Sequence, residues 1–459
     1  MVLSRGRSFV GALITIFCAA LFLSYGAEAR DVYVSKTTGA NSNPGTKEKP
    51  LKLLWKAINK LARGDRIHVA AGTYAGKRKV GLMPGLKGAR DVVIEGGWNT
   101  DFSERDPFKY LTIIGSKPKS QPPTGVVFHF EDADKITIDG FLIDRGIANY
   151  YYSDGEPGAN KSVAGHIRDS AFGYRAINRK KSGSDPTIML FGKGSFTIRN
   201  MILMNNPWWG IYVKGGGKGV ITIENNLILI TQGRGIEAIT GGGWGSPTWV
   251  IRNNTVAFGH TLKTTEGRAL SIDPRKGKGK YIIENNVFAF NDGSGVSAKF
   301  GARKDTLTMN NNKFFFNRRA DFGQGGQGVA NVDEFEDELE VPNAGNLHEL
   351  PKFLVKSSKA WFDRYSSREF TNMLAGQFNS WENLAAARAV FELKEYQIPG
   401  YDKTYATYAD LPQKRNNYDM SRYPHPMKLG EVVDWQSDVL QIIGADGKQG
   451  IQAYKKSPK

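Results

Sequence analysis

Cysteine is almost missing: the 459 residues include one, Cys18. It lies in an N-terminal stretch that reads as an export signal. Arg5 and Arg7 open it, Phe9 to Leu23 is mostly apolar, and Ala27-Glu28-Ala29 supplies a small-residue cleavage site. Removal of residues 1–29 takes the cysteine with it, so disulfides are excluded and stability must come from burial and backbone pairing. Phe9 to Leu23 is the only long apolar run and is short of the roughly 20 residues of a membrane span. The mature chain is therefore expected to have no transmembrane segment and to be secreted, periplasmic or at the cell surface. Histidine is scarce too, and the six residues show no short metal-ligand spacing. No metal site is assigned. The glycine-rich stretches "GKGSFTIRN" and "GGGKG" lack the strand–loop–helix setting of a phosphate loop.

Positive charge is abundant. Lys and Arg number 62 against 45 Asp and Glu, a formal net charge of +17, which loss of Arg5, Arg7 and Glu28 lowers by one. Such a balance favours an anionic partner. Export argues against nucleic acid, even for "DPRKGKGK", and leaves an anionic polysaccharide as the expected partner of a monomer.

One phrase recurs: "FTIRNM", "ITIENN", "WVIRNN", "YIIENN" and "LTMNNN". Their first shared asparagines are Asn200, Asn225, Asn253, Asn285 and Asn311, in steps of 25, 28, 32 and 26. A period in this range signals a solenoid. Short alternating strands with glycine at corners predict an all-β, right-handed parallel β-helix over residues 30–322. Stacked asparagines at one corner would satisfy buried backbone groups in every coil, so these residues are assigned a structural role. Upstream, "RIHVAAGTY", "DVVIEGGWN", "LTIIGS" and "ITIDGFLID" read as less regular coils. "PLKLLWKAINKLARG" predicts a helix with Leu51, Leu54, Ala57, Ile58 and Leu61 on one face, closing the open N-terminal end. Residues 149–185 read as a long loop. Residues 323–459, with a helix in "SWENLAAARAVFELKEY", are expected to pack on or cap the solenoid.

A second phrase follows ten residues after the asparagine: "GIYVK" from Gly210, "GIEAI" from Gly235 and "GVSAK" from Gly295. In the Asn253 coil the match, "ALSID" from Ala269, comes six residues late, so "FGHTLKTTEGR" carries an insertion. Strand alternation points Ile211, Val213, Ile236, Ala238, Leu270, Ile272, Val296 and Ala298 inward. Outward stand two columns, Tyr212–Glu237–Ser271–Ser297 and Lys214–Ile239–Asp273–Lys299. Trp208, Trp209, Arg234 and Arg268 precede these strands, Arg275 follows one, and His260 sits in the insertion. Asp273 is expected beside Lys299 and diagonal to Glu237. The same pattern also suits a plain solvated sheet with ion pairs.

Chemistry on an anionic sugar polymer gives these residues roles. Removing the proton beside a uronate carboxylate needs a cation to neutralise that carboxylate, a base and an acid. Arg268 or Arg275 are candidate neutralisers, Lys299 a candidate base, and Tyr212 or His260 candidate acids or bases. Asp273 and Glu237 could orient them or hold Ca2+, or act as the carboxylate pair of a hydrolase. Trp208, Trp209, Lys214 and Arg234 are candidate substrate contacts. A non-catalytic envelope or adhesin-like protein that binds such a polymer is the alternative.

"ALSIDPRKGKGKYIIENNVFAFNDGSGVSAKF" resembles the repeats of the mannuronan C5-epimerases, β-helix enzymes acting on alginate. Asp273-Pro274, Glu284-Asn285 and Asp292-Gly293 carry the resemblance, which implies a site position for Asp273. Arg275 stands where that family has histidine, and Leu270 where it has the catalytic tyrosine. "NPGTKEKPLKLLWKAINKLARGDRIHVAAGTY" is similar to the opening of secreted β-helix proteins, polysaccharide lyases among them, which implies the fold.

Overall fold

The structure is a computed structural model. It describes residues 29–349 and 448–455, apart from 75–85, 115–125, 145–150, 153–174, 177–185, 260–266, 274–278, 300–304 and the single positions 207, 232, 258, 290, 292, 316, 318 and 326.

Three parallel sheets wind around one apolar core. On the first face lie Phe196–Arg199, Val220–Glu224, Thr248–Arg252, Lys280–Glu284 and Leu307–Asn310, each paired in register with the next. The chain turns a corner into a second, nine-stranded sheet that includes Leu227–Thr231, Thr255–Ala257 and Val287–Ala289. It turns again into a third face, with Trp209–Gly217, Arg234–Gly245, Arg268–Asp273 and Ser294–Ala298. Successive strands on one face are a full coil apart, which is the expected parallel β-helix. The inward residues of the third face, Ile211, Ile236, Leu270 and Val296, are fully buried and in register. Each such side chain contributes roughly 1.5–3 kcal/mol by burial. No described helix is long and apolar enough to cross a membrane.

The first corner explains the repeated phrase, with one correction. Asn200, Asn225, Asn253, Asn285 and Asn311 hold φ between 53° and 56°, a left-handed turn that asparagine tolerates better than most residues. The continuous ladder is not built by these residues but by their successors. Asn226, Asn254, Asn286 and Asn312 are fully buried. Each side-chain nitrogen donates to the next coil's Oδ1: Asn226 to Asn254 at 2.9 Å, Asn254 to Asn286 at 3.0 Å, Asn286 to Asn312 at 3.0 Å and Asn312 to Asn346 at 3.1 Å. The left-handed residue turns its own side chain away from the core and delivers its successor's into it. Only Asn225, which donates to Asn200 Oδ1 at 2.8 Å, shows a stack within the first column.

The N-terminal cap is shorter than expected. The helix runs Leu54–Ile58, burying Leu54, Ala57 and Ile58. Leu51 is bridged instead, accepting from Ser35 N at 2.8 Å and donating to Tyr33 O at 2.8 Å. At the other end, Gln327–Ala330 pairs antiparallel with Ala320–Gln324 and ends the parallel stacking of the third face. Phe335 then packs edge-on against Phe314, and Leu347–His348 adds the last strand of the second sheet. Of the expected loop, residues 151–152 pair antiparallel with 175–176. The helix expected at 380–396 lies outside the described residues.

Candidate functional site

The two outward columns of the third face form as read from strand alternation. Tyr212 is in register with Glu237, Glu237 with Ser271, and Ser271 with Ser297. Lys214 is in register with Ile239, and Ile239 with Asp273. Lys299 Nζ stands 3.5 Å from Asp273 Oδ2. Trp209, Arg234 and Arg268 share one register column at the strand starts. His260 and Arg275 lie outside the described residues.

Four of the eight outward groups are withdrawn from solvent, while Tyr212, Lys214 and Ile239 are partly exposed and Lys299 is exposed. Glu237 is 3% exposed, Ser271 2%, Asp273 0%, Ser297 0% and Arg268 6%. Ordinary outward residues of the first face, such as Thr222 and Ile282, stay partly exposed. Burying a carboxylate or guanidinium is costly unless it is paired. Here Glu237 is held by Arg234 Nη1 at 2.5 Å and Asp273 by Lys299.

Aromatic residues border the charges. Trp209 meets Tyr212 edge-on at 4.7 Å and Trp208 at 5.7 Å between ring centroids, and Phe191 meets Tyr212 at 5.0 Å. The Arg234 guanidinium sits 5.5 Å from the centroid of Trp209, a cation–π distance. One cation thus joins the aromatic edge to the Glu237 carboxylate. Among the described residues, the buried polar atoms of this face that have no hydrogen-bond partner include the Trp209 indole Nε1 and the Ser297 hydroxyl. The indole can only donate. A ligand oxygen would satisfy it, and leaving it unmet costs on the order of 1–3 kcal/mol.

Beneath the face lies a support that the sequence reading missed. Tyr281, 1% exposed, projects inward from the first face, and its ring stacks on Trp249 at 5.5 Å and 7°. Its phenol accepts from the Thr240 amide at 3.2 Å and donates toward the Asp273 carbonyl at 3.2 Å. Trp249 Nε1 donates to Thr240 Oγ1 at 3.0 Å, which is 2.9 Å from the phenol. Burial pushes the Tyr281 phenol well above its ordinary range, so it stays a neutral donor. This cluster fixes the middle of the strand that carries Glu237, at Thr240, and the end of the strand that carries Asp273. Its only sequence signal was an aromatic at the first inward position of two consecutive phrases, "WVIRNN" and "YIIENN".

The first face holds a different charge pattern. Glu95, Asp139, Arg199, Glu224, Arg252 and Glu284 form one register column. Arg199 bonds Asp139 at 2.8 Å and Arg252 bonds Glu224 at 2.8 Å. From Asp139 onward, opposite charges in adjacent coils answer one another, which makes this a structural ladder. Among the described residues, no three His, Cys, Asp or Glu side chains group as a metal site.

Comparison with known proteins adds the following. A family model described as "Protein of unknown function (DUF1565)" matches residues 37–81, a range that includes the cap helix and the strands Arg66–Ala70 and Gly72–Tyr74. No curated protein matches the sequence. Among solved structures, a rhamnogalacturonan lyase aligns at 12% identity and a TM-score of 0.35, covering 72% of this chain and 91% of its own. Pectate lyase Pel9A aligns at 11% and 0.31, covering 71% and 80%. The A-module of the Azotobacter vinelandii mannuronan C-5 epimerase AlgE6 aligns at 14% and 0.25, covering 61% and 77%. These scores are low, and the strand register alone establishes the parallel β-helix.

Proposed function

We propose that the chain is an exported protein acting on an acidic polysaccharide along its third face, by β-elimination or C5-epimerisation of uronate residues. The observation that carries this reading is the burial of Glu237, Asp273 and Arg268 on an outward sheet face, beside an aromatic edge with an unfilled indole donor. The columns from Tyr212 to Ser297 cross four coils, about 14 Å at the interstrand spacing. An elongated ligand suits that span better than a single small molecule.

The pairing of the carboxylates favours elimination over hydrolysis. A glycoside hydrolase of the usual kind needs one carboxyl protonated as the acid. Glu237 and Asp273 are each engaged in an ion pair, at 2.5 and 3.5 Å, and neither is set up to donate a proton to a glycosidic oxygen. Elimination and epimerisation need cations to offset the substrate carboxylate, and Arg268 and Lys299 fill that role. Tyr212 is the described residue best suited to move a proton, and Asp273 orients Lys299.

Incubation with a panel of uronate polymers tests the reading. Absorbance from unsaturated ends marks elimination, and altered sugar composition by NMR marks epimerisation. The competing reading, a binder without turnover, is favoured by the aromatic edge. It expects neither product, and it expects Trp209→Ala to weaken polymer binding more than Lys299→Ala. Neither product nor binding on any acidic polymer would contradict both readings.

A further inference from the structure

The described C-terminal residues do not continue the solenoid. Residues 448–454 run back along its first corner, toward the N-terminal coils. Three successive amides bond three successive coils. Gly450 N donates to Asn285 O at 2.8 Å, Ile451 N to Thr255 Oγ1 at 3.0 Å and Gln452 N to Asn225 Oδ1 at 2.6 Å. The corner answers with donors of its own: Asn253 Nδ2 reaches Lys448 O at 3.2 Å and Asn225 Nδ2 reaches Gln452 O at 3.1 Å. Beyond them Arg105 Nη1 donates to the Tyr454 hydroxyl at 2.9 Å, with its guanidinium 5.3 Å from the Tyr454 ring centroid. Arg105 is itself paired with Asp139 at 2.7 Å.

The geometry points to the row of left-handed asparagines as a docking rail for an extended peptide, with residues 448–454 as a releasable latch on it. Three features support release. The contacts join residues far apart in sequence, so opening the latch breaks no strand pairing within the coils. Ile451, 2% exposed, is its one buried large apolar side chain, while Lys448, Ala453 and Lys455 are exposed. Most of the remaining contacts are hydrogen bonds at a partly exposed edge, the kind that opens locally well below global unfolding. The asparagine column has a use here that the buried ladder does not: Asn225 offers the tail an acceptor and a donor, Asn253 a donor and Asn285 its backbone carbonyl.

Gly450 supplies a test that leaves the coils untouched. Its φ is +77°, and a Cβ there would lie 2.6 Å from Thr255 Oγ1 and 2.9 Å from Val287 Cγ2. Hydrogen exchange of the full chain is compared with Gly450→Ala and with Asn225→Gly, which keeps the left-handed turn and deletes both bonds to Gln452 together with the one to Asn200 Oδ1. The 450–452 amides should be protected in the unaltered chain. In Gly450→Ala they should exchange faster by about tenfold or more, with Val220–Glu224, Thr248–Arg252 and Lys280–Glu284 unchanged. In Asn225→Gly the Gln452 amide should accelerate most. Exchange of the 450–452 amides at free-peptide rates in the unaltered chain would overturn the proposal. So would strands that loosen in step with the tail in Gly450→Ala, since the tail would then be an integral part of the solenoid.

Discussion

Replacing Asn254 with Leu should be one of the most damaging single changes in the coil stack, and replacing its neighbour Asn253 with Gly one of the mildest. Asn254 Oδ1 accepts from the Asn226 amide at 3.1 Å and from Asn226 Nδ2 at 2.9 Å. Its Nδ2 donates to the Ile223 carbonyl at 2.8 Å and to Asn286 Oδ1 at 3.0 Å. Leucine makes none of these bonds. Two of the four groups keep another partner: Asn226 Nδ2 still meets Ile198 O at 3.1 Å, and Asn286 Oδ1 still accepts from the Asn254 amide at 3.0 Å. The Asn226 amide and the Ile223 carbonyl lose the bonds described. At about 1–3 kcal/mol for each of the two buried groups left wanting, the expected loss is roughly 2–6 kcal/mol. Asn253→Gly keeps a backbone that tolerates φ of 53° and loses one exposed bond to Lys448 O, so its cost should stay below about 1 kcal/mol. Urea unfolding followed by circular dichroism measures both. Equal losses, or a near-neutral Asn254→Leu, would refute the assignment of the ladder to the second asparagine.

Other outcomes follow from the same contacts. Tyr281→Phe should lower stability by about 1–2 kcal/mol, because the Thr240 amide and the Asp273 carbonyl lose the phenol; unchanged chemical unfolding would remove it as the support of the third face. Acid should destabilise the N-terminal coils. Burial opposes ionisation of Glu95 and Asp65, but the His68 bond to Glu95 at 2.7 Å and the Arg30 bond to Asp65 outweigh it, so both stay below the usual carboxylate range. Folded values depressed in this way give stability that is present above about pH 4 and is lost as pH falls through the folded values. Melting temperature against pH should therefore drop on the acid side, and less steeply in Glu95→Gln; an unaltered slope in that variant would show that Glu95 is not linked to folding.

Much of this was legible from spacing alone. A repeat that alternates in and out fixes which residues share a face, so the Tyr212–Glu237–Ser271–Ser297 column and the Asp273–Lys299 contact could be read before any coordinates. Two adjacent asparagines are indistinguishable in an alignment, and only backbone handedness separates the corner from the ladder. The alternation Arg199, Glu224, Arg252, Glu284 was present in the repeated phrases and would have revealed the ladder on the first face. Burial of Glu237 and Asp273 could not be read, because alternation gives direction and not cover. The latch left no periodic signal, since it depends on the return of residues more than 190 positions away. The helix at 51–64 was overextended because amphipathic spacing ignores Leu51, whose backbone is taken by Tyr33 and Ser35.

The central claim is that the buried charges of the third face serve an anionic polymer. Its most direct test is calorimetric titration of a polyuronate into the protein at low and moderate salt, with a neutral glucan as control and Arg268→Ala and Lys299→Ala as variants. The account predicts binding that weakens steeply with salt, as partly exposed ion pairs are screened over roughly 8–10 Å, and that falls about tenfold or more in each variant, near 1.4 kcal/mol. Equal affinity for the glucan, or full polyuronate binding in both variants, would contradict it.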